Sequence, residues 1–83
     1  MRKKNIIGIN IRQARKKSHV TQMDLAAQLQ LLGLRIDRSA VAKIEVGIRP
    51  ISDIEIIAIA RVLNIPVPSI FEESDEMMNL FLD

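Results

Sequence analysis

The sequence predicts an all-α domain built from four to five helices, and three observations predict it. Apolar residues recur at three- and four-residue intervals through four successive segments. The later segments open on good capping residues, Thr21, Asp37 and Ser52. They close on Gly33, Gly47 or a proline-containing break, as helix ends commonly do.

In the first segment Ile7, Ile11 and Ala14 lie at i, i+4 and i+7, with Arg12, Arg15, Lys16 and Lys17 among them. That spacing gives an amphipathic helix over roughly residues 5–18, whose basic last turn complements the helix dipole. His19 follows where the chain must turn out of the helix, and His is among the residues that tolerate left-handed backbone, so its expected role is conformational. Thr21 with Asp24 makes a short-armed capping box for the second helix. Leu25, Leu29 and Leu32 line one face of it beside Ala26, and Gly33 ends it.

Asp37 caps a third helix that buries Val41 and Ile44 and stops at Gly47. Arg49-Pro50 breaks the pattern, because a residue preceding proline avoids helical backbone angles. Ser52 with Glu55 forms a full capping box for a fourth helix through Leu63, with Ile56, Ile59, Ala60 and Leu63 as its buried stripe. Twelve unbroken residues with that box favour helix over strand, despite the isoleucine content. Ile54 and Ile57 add apolar surface beside the stripe, to be covered by a fifth helix or by a partner subunit. Pro66 and Pro68 suit a turn into a short helix around Ser69–Glu73.

Eighty-three residues at 48% apolar content suffice for one domain with a single modest core. The expected organisation is a domain over residues 1–71, with residues 1–5 as a mobile basic arm, and an acidic and apolar tail over 72–83. The tail's Met77, Met78, Leu80, Phe81 and Leu82 form an extra helix or dimer contact, or pack on their own domain. With no cysteine, neither a disulfide nor a thiolate zinc site is available, which fits a cytoplasmic protein. Gly8, Asn10 and Arg12 interrupt the only apolar run that follows an N-terminal basic cluster, so no secretion signal is expected. No stretch approaches the ~20 apolar residues of a membrane span.

Charge is sharply segregated. Residues 1–49 hold eleven Lys/Arg against three Asp/Glu, whereas residues 50–83 hold Arg61 against seven acids. The basic half suits a polyanion partner. Enzyme chemistry finds no support: His19 has no evident carboxylate or nucleophile partner, there is no glycine-rich phosphate loop, and no cofactor or metal is implied. Stacking on single-stranded nucleic acid needs aromatics, and Phe71 and Phe81 are the only two.

The details sharpen what a helix pair alone leaves open. Ile7-Gly8, Asn10-Ile11-Arg12, Arg15, Thr21-Gln22, Leu25-Ala26, Val41, Lys43-Ile44-Glu45, Gly47 and Arg49 stand in register with one another. Ile59-Ala60, Leu63, Ile65 and Phe71 follow in step. In these residues the chain resembles the phage repressor/Cro-like (Xre-type) helix-turn-helix family over roughly residues 6–71. The resemblance implies a compact lambda-repressor-like domain that acts as a sequence-specific regulator on double-stranded DNA.

It also implies roles for particular residues. Arg38, Ser39, Ala42 and Lys43 would read base edges from the third helix, Arg38 matching the paired acceptors of guanine and Ala42 touching a thymine methyl. Thr21 and Gln22, at the start of the second helix, and Arg49, after the third, would contact the DNA backbone, while Arg35, in the link ahead of the third, would reach a phosphate that relatives do not touch. Arg15 and Glu45 match a structural ion pair between helices. A homodimer on a palindromic operator follows from the limited base contact of one small module. One departure is visible: the link from Leu29 to Asp37 is about five residues longer than in relatives, so that either the second helix extends or an apolar loop over Leu31–Ile36 packs on the core. The rival reading is a protein-interaction module of the same fold that does not itself bind DNA, such as an antitoxin or regulatory partner, for which Ala40 and Ala42 would make the third helix a smooth docking face; the C-terminal tail offers a separate contact for a protein partner.

Overall fold

In the computed structural model, which describes residues 3–80, six helices follow one another: α1 Gly8–Lys17, α2 Gln22–Leu31, α3 Arg38–Glu45, α4 Asp53–Leu63, α5 Val67–Ile70 and α6 Asp75–Leu80. No strand occurs among the described residues, and the all-α class stands. No described helix is long and apolar enough to cross a membrane.

Local chemistry accounts for the ends of the helices. Thr21 and Asp24 form the reciprocal capping box of α2, and Ser52 and Glu55 that of α4. The Asp37 carboxylate accepts from the Ala40 N–H at 2.8 Å and starts α3. The first four helices stop in one way. A left-handed residue follows each (His19, Gly33, Gly47, Asn64), and the N–H groups there fold back on the last turn's carbonyls. At α2, for example, Gly33 donates to Gln30 and Leu34 to Leu29.

The core is a single cluster drawn from every helix. Ile11, Leu25, Leu29, Ile36, Val41, Ile44, Ile59 and Ile70 are its largest fully enclosed side chains. Helix α3 packs on α2 and α1, while α4 lies against α2, α5 and α1. Asn10 is buried in α1 and donates to the carbonyls of Ile70 and Glu72, each at 2.8 Å, which fixes the end of α5 to α1.

Three expectations change. The short fifth helix runs over Val67–Ile70, earlier than Ser69–Glu73, because Pro66 already holds the extended backbone that precedes a helix. The first helix starts at Gly8, three residues later than expected, with Ile7 at its N-cap position and the otherwise free Gly8 N–H donating to the Asn5 side-chain oxygen at 2.7 Å. And residues 3–5 of the expected mobile arm are fixed: the Lys4 N–H donates to Gly47 O at 2.7 Å and Lys3 Nζ to Val46 O at 2.8 Å. Arg2 lies outside the described residues. In the tail Met77 is buried against its own domain, with Gln13 of α1 donating to Glu76 at 2.7 Å. Phe81 and Leu82 lie outside the described residues.

Candidate nucleic-acid interface

Helix α3 is eight residues long and has two unlike faces. Val41, Ile44 and Glu45 are buried; Arg38, Ser39 and Lys43 are exposed, with Ala42 half-buried between them. Residues four apart share a helix face, so Ala42 lies beneath Arg38 and Lys43 beneath Ser39. Lys43 therefore belongs to the same outward surface as Arg38. The whole helix spans about 12 Å at 1.5 Å per residue, a length that fits a major groove.

What makes this surface rigid lies underneath it. The Glu45 side chain is 1% exposed and receives Arg15 Nε at 2.6 Å and Arg15 Nη2 at 3.1 Å. Gln22 Nε2 donates to the same carboxylate at 3.1 Å. One acid on α3 thus ties together α1, α2 and α3, and Arg15 Nη1 also holds the Val20 carbonyl at 2.8 Å. At this same carboxyl end of α3, Asn5 Nδ2 donates to Ile44 O at 3.0 Å and to Arg49 O at 2.8 Å. Gly8 permits this approach, since a Cβ there would collide with the Ile44 carbonyl oxygen.

A family model described as helix-turn-helix matches residues 11–70. The chain belongs to the Cro/C1-type helix-turn-helix family. That family is one of DNA-binding transcription regulators of the Xre type, and the protein is a regulator of this general class. Comparison with curated proteins gives no match. Lys3–Asn5 and helix α6 fall outside the matched residues.

The helix pair is joined by the link that the sequence marks as long. Helix α2 reaches Leu31, and residues 32–37 then cross to α3. Of the two expectations for this link, the packed loop is the one the structure displays. Ile36 is fully buried, Leu34 is half-buried, and Gln30 Nε2 holds the Ile36 carbonyl at 3.0 Å. Leu31 and Leu32 point outward, and Arg35 is exposed three residues ahead of Arg38.

Two of the residues matched to backbone contact are already partnered. Gln22 commits one amide hydrogen to Glu45. Arg49 grips both carboxylate oxygens of Glu55, at 3.1 and 3.0 Å, and the Pro50 carbonyl at 2.9 Å. The hydrogen bond from Arg49 holds the Glu55 carboxyl below the usual carboxylate range against partial burial, with Ser52 assisting, and the same bond raises Arg49. Thr21 is exposed and its oxygen caps Asp24 N at 3.0 Å. The anchoring by Asn5 was missed in the sequence. The available signal was an Asn three residues ahead of Gly8, a spacing typical of a cap.

Proposed function

We propose that the protein is a sequence-specific bacterial or phage transcription regulator, acting in the cytoplasm. In this reading a homodimer binds a palindromic duplex operator with α3 of each copy in the major groove. The observation that carries the reading is the row Arg38, Ser39, Ala42 and Lys43, turned outward on a helix whose other face is locked by Glu45. Arg38 reads guanine through its guanidinium fork, Ser39 and Lys43 hydrogen-bond to neighbouring base edges, and Ala42 meets a thymine methyl.

Phosphates are held around this row. Thr21 can donate its hydroxyl hydrogen while its oxygen serves the cap, and Gln22 keeps one amide hydrogen beyond Glu45. Arg35 approaches from the lengthened link, and Arg49 offers Nε–H and one Nη2 hydrogen beside its pair with Glu55. The Arg15–Glu45 pair supports the fold and touches no DNA in this arrangement. The eleven Lys/Arg against three Asp/Glu over residues 1–49 supply the long-range attraction.

Selection from random duplexes, run with the native chain and with Arg38→Ala, tests the reading. The native chain should enrich a palindrome, and Arg38→Ala should lose preference at one base pair per half-site. Binding through ~6–10 phosphates should weaken ~10³–10⁵-fold between 50 and 200 mM salt. Failure to retain any duplex at ~50 mM salt would overturn the proposal and favour the protein-interaction module.

A further inference from the structure

The outer face of α4 carries an apolar surface that the described residues leave open. Ile54 is 65% and Ile57 55% exposed. With Leu32, Leu34, Ala58 and Arg61 they line an open hollow of about 220 Å³. Charges flank this surface in a particular order. Asp53, Ile57 and Arg61 are all exposed and lie on one helical row, four residues apart. Ile57 is therefore the midpoint between an acid and a base.

Asp53 and Arg61 cannot satisfy each other within one chain, being ~12 Å apart along the axis. Asp53 has its Oδ1 on the Ile54 N–H at 2.7 Å, and Arg61 forms no ion pair among the described residues. A second copy of the same helix, laid antiparallel about a two-fold axis through Ile57, satisfies both. Asp53 then faces Arg61 of the second copy, Arg61 faces its Asp53, and the two Ile57 side chains meet on the axis flanked by Ile54. A two-fold contact must be complementary to itself, and this row meets that condition.

We infer that the protein self-associates through α4 packed antiparallel against α4 of a second copy, centred on Ile57, with two reciprocal Asp53–Arg61 pairs. This rests on the homodimer reading and assigns that dimer to α4. Within the C-terminal tail, Met77 is already committed to the chain's own core. The charge order selects a second copy over a generic apolar partner, because the acid and the base sit at equal distances from the midpoint.

Sedimentation of the full chain, with folding checked by circular dichroism, tests the inference. Asp53→Arg alone and Arg61→Asp alone each turn both pairs repulsive, and each should weaken self-association roughly tenfold or more. Mixing the two variants should restore dimers. The first variant is basic and the second acidic at both ends of the row, so opposite charges meet at each end of the mixed contact. Ile57→Asp sets two carboxylates on the axis and should abolish the dimer at concentrations where the native chain is paired. A dimer that survives Ile57→Asp overturns this interface while leaving the homodimer reading intact. Single charge variants that stay paired, or a mixture that stays monomeric, overturn the antiparallel register in the same way. A native chain that is monomeric both free and on a palindromic duplex overturns the interface and the homodimer together.

Discussion

Removal of Glu45 should be the most costly single change at the base of α3. Its carboxylate is enclosed, and three donors converge on it: two from Arg15 and one from Gln22. In Glu45→Ala the Arg15 guanidinium, whose side chain is 9% exposed, stays buried with only the Val20 carbonyl to meet its charge. Breaking one partner of a buried pair costs ~3–5 kcal/mol. A chain of 83 residues has roughly 4–12 kcal/mol of stability in all, so the variant should sit close to unfolding.

Replacing both partners should behave differently. In Arg15→Met/Glu45→Leu no charge remains in the core, and Gln22 is exposed enough to bond to water. Such exchanges are often neutral or stabilising by ~1–4 kcal/mol. Urea unfolding followed by circular dichroism at pH 7 would measure both. If Glu45→Ala lost under ~1 kcal/mol, or if the double variant were as unstable as the single one, the account of this pair would be wrong.

Three further outcomes follow from geometry. Gly8→Ala should lower stability by ~1–3 kcal/mol in a thermal melt despite alanine's better helix propensity, because the new Cβ meets the Ile44 carbonyl and α1 must back away from α3. Glu55→Gln keeps the capping box but removes the ion pair with Arg49. The native carboxyl is depressed when folded, so its contribution is complete above the ordinary Glu value of about 4.3 and is lost as pH falls through the lower folded value. The native chain should exceed the variant by up to ~1 kcal/mol at pH 7, and the gap should shrink as pH falls below the ordinary Glu value; a constant gap in urea melts would refute this. Lys43→Ala should alter base preference next to the position set by Arg38, with little change in salt slope. A uniform loss with the slope reduced by ~1 would move Lys43 to the phosphates.

Signals confined to a few adjacent residues were legible in the sequence. The boxes at Thr21–Asp24 and Ser52–Glu55, the cap at Asp37 and the turn at Gly33 form as their spacing predicts, because each is a bond between near neighbours. The outward placement of Arg38 and Lys43 follows from the same periodicity that buries Val41 and Ile44. What the sequence hid depends on distant partners. Asn5 meets residues 39 and 44 positions away, and Asn10 reaches across 60 and 62. Glu55 was legible as a cap, but its second duty toward Arg49 needed the turn at Pro50 to bring the two together. Helix α6 was legible only as one of several fates for the tail, because six residues are too few to display a period.

The way Asn5 and Gly8 secure the carboxyl end of α3 changes what counts as the smallest autonomous reader of a duplex. A peptide containing only residues 21–49 would keep the two helices that give the family its title, yet it would lack Arg15 beneath Glu45 and both residues that fasten Ile44. Excised in that way, the pair should wander through many mutual orientations, and recognition should fade although every side chain proposed to touch a base was still present. Grafts that aim to transplant this specificity onto another scaffold therefore need to carry the opening helix and its leading asparagine with them.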